Sequence, residues 1–399
     1  MSLSHPESSK ENLLSIFAAF LKLGSTSFGG PIAHLGYLRT EFVDRRKWLD
    51  DKAYADLVAL CQFLPGPASS QVGIALGLSQ RGLRGGIAAW LGFTLPSAIV
   101  MIAFAYGLQF MHGSGDTGWL HGLKVAAVAV VAQAVWNMGK QLCPDRTRTS
   151  FAVGAALLVL AWPGAAAQIA AIVISAALGW RLLPADAMAQ QFSNFRGSRW
   201  LSWGAWALFI GFLVVLPIGA RSTGNYALSM FDSFYRSGSL VFGGGHVVLP
   251  LLREEVVPRG WISDSDFLAG YGMAQALPGP LFSFAAYLGA ASHGLPNGWL
   301  GGVIALVAIF LPAFLLVLGA LPYWDGWRRR PAIRAAMNGI NAAVVGILLA
   351  ALYDPIFATA VHTQRDFALA LVTFALLVFW RVSPLWVVIF SAVAGMALM

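Results

Sequence analysis

Charge is scarce in this chain. Asp, Glu, Lys and Arg make up 11% of its 399 residues, against about a quarter in a soluble protein. With 58% hydrophobic residues there is too little polar surface to clothe a soluble fold, so the bilayer is the solvent and a soluble α/β enzyme is excluded. Cysteine is nearly absent: Cys61 and Cys143 stand alone, with no CxxC and no His-rich tract. That leaves a disulfide frame, a metal site of zinc type and a thiol redox centre unsupported. Apart from Asp56, Asp232 and Asp354 near segment ends, the apolar runs hold almost no carboxylates. Carriers driven by cations place Asp or Glu inside the membrane as proton or sodium sites, so a cation substrate and carboxylate-based coupling are disfavoured. There is no GxxxxGK[ST] phosphate loop and hence no sign of ATP hydrolysis. No cofactor, metal or catalytic residue is expected. The formal net charge of +8 comes from Lys and Arg in short polar gaps, a placement that sets membrane orientation rather than binding nucleic acid.

What is present is a duplication. Gly24–Ser25 and Phe28–Gly29–Gly30 return 214 positions later as Gly238–Ser239 and Phe242–Gly243–Gly244. Arg39, Glu41, Val43 and Arg45 match Arg253, Glu255, Val257 and Arg259 at the same offset, and Trp48 matches Trp261 after a one-residue gap. Of the 24 positions from Lys22 to Arg45, 11 are identical in the second copy. Further on, Gln62-x-Leu64-Pro65-Gly66-Pro67 matches Gln275-x-Leu277-Pro278-Gly279-Pro280. Both copies set Gly and Pro in the middle of apolar runs, the pattern of interrupted helices in a duplicated secondary transporter.

Apolar stretches fall near 12–36, 53–79, 85–110, 120–139, 151–161 and 164–180, then 201–219, then 226–251, 267–290, 299–320, 332–353, 366–380 and 382–399. The expectation is six, one and six, with the last two of each series short enough to be half-spans. If every stretch crosses, equivalent segments lie an odd number of crossings apart and the halves are inverted. The loop after the first motif carries Arg39, Arg45, Arg46, Lys47 and Lys52, its counterpart only Arg253 and Arg259, which puts the first loop in the cytoplasm and the second outside. The chain therefore reads as an all-α, polytopic helical membrane protein, two homologous halves forming an inverted repeat with broken helices. The first repeat is set at 1–181, a linker plus connecting transmembrane segment at 182–220, and the second repeat at 221–399. Ser8 and Glu11 read as a capping box at the start of the first helix.

The breaks are the candidate site. Gly29–Gly30–Pro31 should interrupt the helix, since glycine permits left-handed φ and proline deletes a hydrogen bond. Backbone freed at membrane depth is tolerated only against protein or a cavity. A half-helix beginning at Pro31 would present N–H groups and a positive dipole end, suited to an anion. Phe28 and its partner segment Phe242–Gly243–Gly244–Gly245–His246 belong to the same device. Pro65–Gly66–Pro67 and Pro278–Gly279–Pro280 supply the second pair of breaks, flanked by Gln62, Ser69, Ser70 and Gln71 and by Gln275 and Ser283, uncharged donors for an oxyanion. His34 and His246 are candidate donors or proton carriers; the plainer reading is a neutral histidine on a backbone carbonyl. Lys22 and Arg236 are aligned cations of gating or structural role. Arg39 with Glu41, and Arg253 with Glu255, read as helix-end ion pairs. Ordinary helix kinks and close helix contacts would explain one such motif, but not two motifs each duplicated.

Phe20-Leu-Lys-Leu-Gly24, Ser27-Phe-Gly-Gly-Pro-x-Ala-His34, Trp48 and Gln62-Phe-Leu-Pro-Gly-Pro67 resemble the first half of the chromate ion transporter family; Phe242-Gly-Gly-Gly-His246, Val248-Leu-Pro250 and Gln275-Ala-Leu-Pro-Gly-Pro280 resemble its second half. The resemblance runs from about Leu13 to Pro355. It implies the long, two-domain form: a multi-pass protein of the bacterial plasma (inner) membrane that exports chromate and confers resistance. Expected partners are chromate, with sulfate as a near-isosteric rival, the lipid bilayer and a second copy in a homodimer. A sulfate or other oxyanion carrier, an anion channel, a membrane scaffold without transport and a membrane-bound chromate reductase are the alternatives; the lone cysteines and the lack of a flavin or haem signature weigh against the last.

Overall fold

The computed structural model describes residues 11–111, 118–184, 199–242, 245–327 and 330–398, and among them every regular element is helical. The first helix, α1 (Leu13–Thr26), is capped by Asn12, whose Oδ1 accepts from the N–H groups of Leu14 (2.6 Å) and Ser15 (3.3 Å). Asn12 therefore does the work expected of the Ser8 capping box, and Ser8 itself lies outside the described residues. At 1.5 Å per residue the 14 residues of α1 reach about 21 Å, short of the roughly 30 Å apolar thickness. The helix does not go on. Gly29 and Gly30 both take left-handed φ (99° and 75°), and α2 (Gly30–Arg39) runs back to a π-helical turn at Thr40–Arg45. Phe20 stacks on Phe42 with ring centroids 4.7 Å apart, and Arg46 Nη1 donates to Glu11 Oε1 at 3.2 Å. Residues 12–36 thus dip into the bilayer and return, correcting the expectation of a crossing.

The next pair repeats the device. α3 (Asp51–Phe63) leads to Pro65–Gly66–Pro67, and the first part of α4 (Ala68–Met111) leads back. Helical geometry fails at Arg81–Gly82, where Arg81 Nε donates to the Glu11 carbonyl at 2.6 Å. The open ends of both hairpins therefore share one face, called here the basic face. Beyond Gly82 the rest of α4 crosses, and α5 (Gly118–Leu142) crosses back. α6 (Arg146–Ala161) and α7 (Ala165–Leu182) turn at residues 162–164 and bury Ala155, Ala171 and Ile172 in one cluster. α8 (Arg199–Thr223) then crosses to the far face.

The second half repeats the plan. α9 (Tyr226–Ser239) and α10 (Val248–Val256) form one hairpin, and α11 (Asp264–Ala276) and α12 (Phe284–Ala291) another. α13 (Gly298–Ala320) crosses, followed by the single turn α14 (Trp324–Trp327) and by α15 (Pro331–Ala351). After the bend at Leu352–Phe357 come α16 (Ala358–Ala360), α17 (Gln364–Val378) and α18 (Pro384–Leu398). The hairpins α9–α10 and α11–α12 open on the far face: the His293 N–H bonds the Trp261 carbonyl at 3.0 Å, and the Tyr226 hydroxyl meets Ser292. The far end of α4 joins them there, with Tyr106 Oη accepting from the Trp299 N–H at 2.9 Å.

The halves are an inverted repeat, but not by the expected count. Among the described residues 6 helices are long and apolar enough to cross, and one of them, α7, is a hairpin leg. The far part of α4, α5 and α8 separate the equivalent hairpins. That number is odd, so inversion survives although the crossings it was inferred from do not.

Close backbone approach holds the hairpins against their crossing helices. A Cβ on Gly24 would lie 2.5 Å from the Phe93 carbonyl oxygen, and one on the equivalent Gly238 would collide with the Ile309 carbonyl. Backbone cannot yield as a side-chain end can, and overpacking typically costs about 1–3 kcal/mol. Gly24→Leu and Gly238→Leu should each lower the thermal transition of the detergent-solubilised protein by several degrees, while Gly36→Leu, with nothing within 4 Å of its Cβ, should leave it unchanged. Equal transitions in all three would refute this packing.

Candidate substrate site

The hairpin tips meet. The Gly66 N–H donates to the Val241 carbonyl at 2.6 Å, and the Gly279 N–H donates to the Ser27 carbonyl at 3.0 Å. Gly66 and Gly279 are equivalent in the repeat, and so are Ser27 and Val241; the two bonds are one bond repeated about a pseudo-twofold axis. Each satisfies an amide that a break leaves bare at membrane depth, where lipid offers no partner. Gly66 and Gly279 need positive φ to aim those amides (122° and 94°), the conformation only glycine takes freely. Gln71 Nε2 fixes the first tip from behind by donating to the Pro65 carbonyl at 2.8 Å.

Beside the tips lies a cavity of about 910 Å³. Phe28, Gly29, Gln62 and Gly66 line it from the first half, Gly245 and His246 from the second. The N-terminal end of α2 (Gly29), that of α4 (Ala68) and the 3-10 turn before α10 (Gly245) all border it, three positive dipole ends around one space. At about 30 Å³ of liquid per water it holds on the order of thirty waters. It is an aqueous vestibule rather than a close-fitting pocket. It reaches toward the basic face, where Tyr37, Lys140 and Gln141 line it.

Several expected residues stand elsewhere. His34 is 2% exposed and its Nε2 lies 3.1 Å from the Ser27 carbonyl, so it supports the acceptor of the Gly279 bond and does not line the cavity. His246 does line it, with Nδ1 2.9 Å from the Tyr271 hydroxyl; when the hydroxyl donates, the ring proton sits on Nε2. Ser69, Ser70, Gln71 and Ser283 are buried in protein, behind the tips rather than before them. Pro67, Pro278 and Pro280 shape the tips, and Pro31 sits in the first turn of α2 as expected. Gln275 keeps a buried Nε2 without a partner among the described residues. Gly243 and Gly244 lie outside the described residues. Lys22 is exposed on α1.

The expected ion pairs re-sort. Arg39 bonds Asp51 and Asp44 rather than Glu41, and Glu41 takes Arg45 and Arg46. Arg253 bonds Asp264 and Glu254 rather than Glu255, and Glu255 takes Arg236 and Arg259. Arg39–Asp51 and Arg253–Asp264 are equivalents, as are Glu41–Arg45 and Glu255–Arg259. The repeat is kept, with other partners than those expected. At the membrane edge the Asp51 hydrogen bond, with Asp44 nearby, raises the Arg39 pKa.

Sequence reasoning missed the opposite wall. Gln133, Asn137 and Gln141 line the cavity with Lys140, Asn341 and Arg381. The signal was there: Gln133, Asn137 and Gln141 are spaced four apart, a polar stripe along one face of the second half of α5.

The chromate transporter family matches residues 14–180 and 228–396, one match to each half. A chromate transport protein of Pseudomonas aeruginosa is 30% identical over 358 residues, covering 85% of this chain and 80% of that protein. One of Cupriavidus metallidurans is 29% identical, covering 94% and 91%, and an uncharacterized transporter of Methanocaldococcus jannaschii is 26% identical, covering 96% and 93%. No solved structure matches. Both halves of this helical membrane fold match one family, whose named relatives are transporters rather than enzymes, and the chain belongs to the chromate transporter family.

Proposed function

We propose that this protein is a secondary transporter that carries chromate, a tetrahedral dianion, out of the cytoplasm through the vestibule and past the paired tips. The observation that carries the reading is the reciprocal Gly66–Val241 and Gly279–Ser27 bonding at the head of a cavity of about 910 Å³. Arg81, Arg84, Arg146, Arg148, Arg181, Arg199 and Arg330 join the first loop on the basic face, while the far face carries Arg221, Arg253, Arg259 and Arg365. Excess Lys and Arg marks the cytoplasmic side, so the vestibule opens inward, in the plasma membrane of a bacterium.

The two sides differ in a way that suits alternating access. On the far side α11 packs directly on α5, with Gly272 against the Leu123 carbonyl. The equivalent helices on the basic side, α3 and α15, stand across the vestibule, which Gln62 and Asn341 line. One set is closed, its mirror image open. Exchange of the two arrangements would open the far side, the rocking expected of inverted repeats. In such a cycle the domain boundaries at 181 and 221 leave α8 as the connector between moving halves.

Gln62→Cys and Asn137→Cys, in a Cys61→Ser, Cys143→Ser background, should react with a membrane-impermeant maleimide added to the basic side and not from the far side. Saturating chromate should slow labelling at Gln62→Cys at least about fivefold, the response of a site largely occupied by ligand. Labelling from the far side alone, or no protection by chromate, would reject the reading.

A further inference from the structure

The wall opposite the tips carries a feature that the tip device does not explain. Of the residues lining the vestibule, Lys140 and Arg381 are cations and none is Asp or Glu. Neither makes an ion pair with a carboxylate among the described residues. The Lys140 ammonium lies 4.4 Å from the centroid of the Trp136 ring, a cation–π contact that steadies the side chain without neutralising its charge. Arg381 occupies the turn from α17 to α18 at φ 54°, in a cap closed by the Val382 N–H on the Leu376 carbonyl at 3.0 Å. Glycine is the usual residue there, and an arginine costs backbone strain. Gln133, Asn137, Gln141 and Asn341 line the same cavity; Gln133 Nε2 donates to the Leu377 carbonyl at 3.2 Å, and Asn341 Oδ1 is buried without a partner.

The feature is not duplicated. Gly122 packs on the Ser391 carbonyl and Gly339 on the Ser175 carbonyl, which sets α5 on α15 at an offset of 217 positions. At that offset Lys140 falls on Phe357 and Asn137 on Asp354. The turn equivalent to the one holding Arg381 joins α6 to α7 and contains no charge, running Trp162–Pro163–Gly164. A repeat kept at its tips, its glycine contacts and its loop ion pairs has lost its symmetry here.

Building on the transport reading above, we infer that Lys140 and Arg381 form an anion-loading station on the basic side alone, which binds a tetrahedral oxyanion before it reaches the tips. Two uncompensated cations in a water-filled cleft with low-dielectric walls concentrate a dianion and speed its arrival. The amides lining the cavity hold it without selecting strongly among tetrahedral oxyanions. The far side carries no equivalent of that pair: at the same offset its cation is Lys124, at the position of Asn341, and it is buried.

The test uses the full-length protein in phosphatidylcholine vesicles, with chromate presented to the basic side and flux followed by its absorbance. Lys140→Gln with Arg381→Gln should raise the half-saturating chromate concentration about tenfold, each single variant a few-fold, with saturating flux held within about twofold. Lys140→Arg with Arg381→Lys should restore the wild-type value. The difference should close as salt is raised to 1 M, where the screening length shrinks to about 3 Å; lost packing would not respond to salt. Should the double Gln variant fail to fold, the wild type alone still decides, because its half-saturation must rise steeply with salt. An unchanged half-saturation in the double variant, or a salt-independent one in the wild type, overturns the station while leaving transport intact. A wild type without saturable chromate flux overturns the transport reading itself.

Discussion

Gly66→Ala and Gly279→Ala should each lower saturating chromate flux about 100-fold, the scale on which a displacement of about 1 Å disables a site. Both glycines sit at φ values an L side chain resists (122° and 94°), a strain of about 1–3 kcal/mol. A Cβ on Gly66 would stand 2.8 Å from Gln71 Nε2, the atom that fixes the tip, and one on Gly279 would stand 3.1 Å from the Gly24 carbonyl. Relief of either contact pulls an N–H away from the opposite half. Because the two bonds belong to one joint, the double variant should be little worse than either single, a failure of additivity expected of directly coupled groups. Gly260→Ala is the control: φ is 68° and a Cβ would meet nothing within 4 Å, so it carries the backbone strain without touching the joint and should transport normally. Flux is measured in vesicles and normalised to the monodisperse fraction after reconstitution. Near-normal flux in both single variants would show that the tips are scaffolding only.

The second large effect concerns driving force. One charge moved through 100 mV is worth about 2.3 kcal/mol, so a dianion gains about 4.6 kcal/mol, a ratio of order 10³ at equilibrium. Vesicles with the protein's basic side facing inward, loaded with chromate and clamped inside-negative, should empty to that extent, and inside-positive vesicles should retain the ion. If transport is uncoupled to any other ion, dissipating the pH gradient leaves this ratio unchanged. Sulfate, of the same charge and shape, should compete, since vestibule amides and backbone N–H groups read charge and tetrahedral geometry more than the central atom. Emptying that ignores the sign of the potential would refute potential-driven export, and flux that never saturates would replace a carrier with a channel.

Much of this molecule was written along the chain. Composition fixed the solvent, because 58% hydrophobic residues leave no soluble alternative. The duplicated glycine and proline motifs located the breaks, because φ limits and the missing proline N–H act on the residue that carries them. Inversion was legible from the arginine and lysine bias for a similar reason: topology responds to local charge beside each apolar segment.

Other features were legible only in part. Residues 12–36 and 53–79 have the length and apolarity of spans, and nothing local says that a glycine pair will reverse a helix rather than kink it. That outcome depends on what the returning leg packs against, here Phe20 on Phe42 and α1 on the glycines of α4. His34 and Ser70 sit within a few residues of a break, yet a helix turns 100° per residue, and their direction was set by neighbouring helices. Lys140 and Arg381 are 241 positions apart and belong to different halves.

The sequence by itself determined a bilayer protein of two opposed halves with four interruptions in its helices, since solvent preference, backbone freedom and topogenic charge are properties of short segments. Tertiary structure alone decided that the interruptions are hairpin tips, that Gly66 and Gly279 reach across to Val241 and Ser27, and which polar groups face water. Those are relations between surfaces far apart in the chain, fixed by close packing against one another, and no single segment encodes the position of its partner.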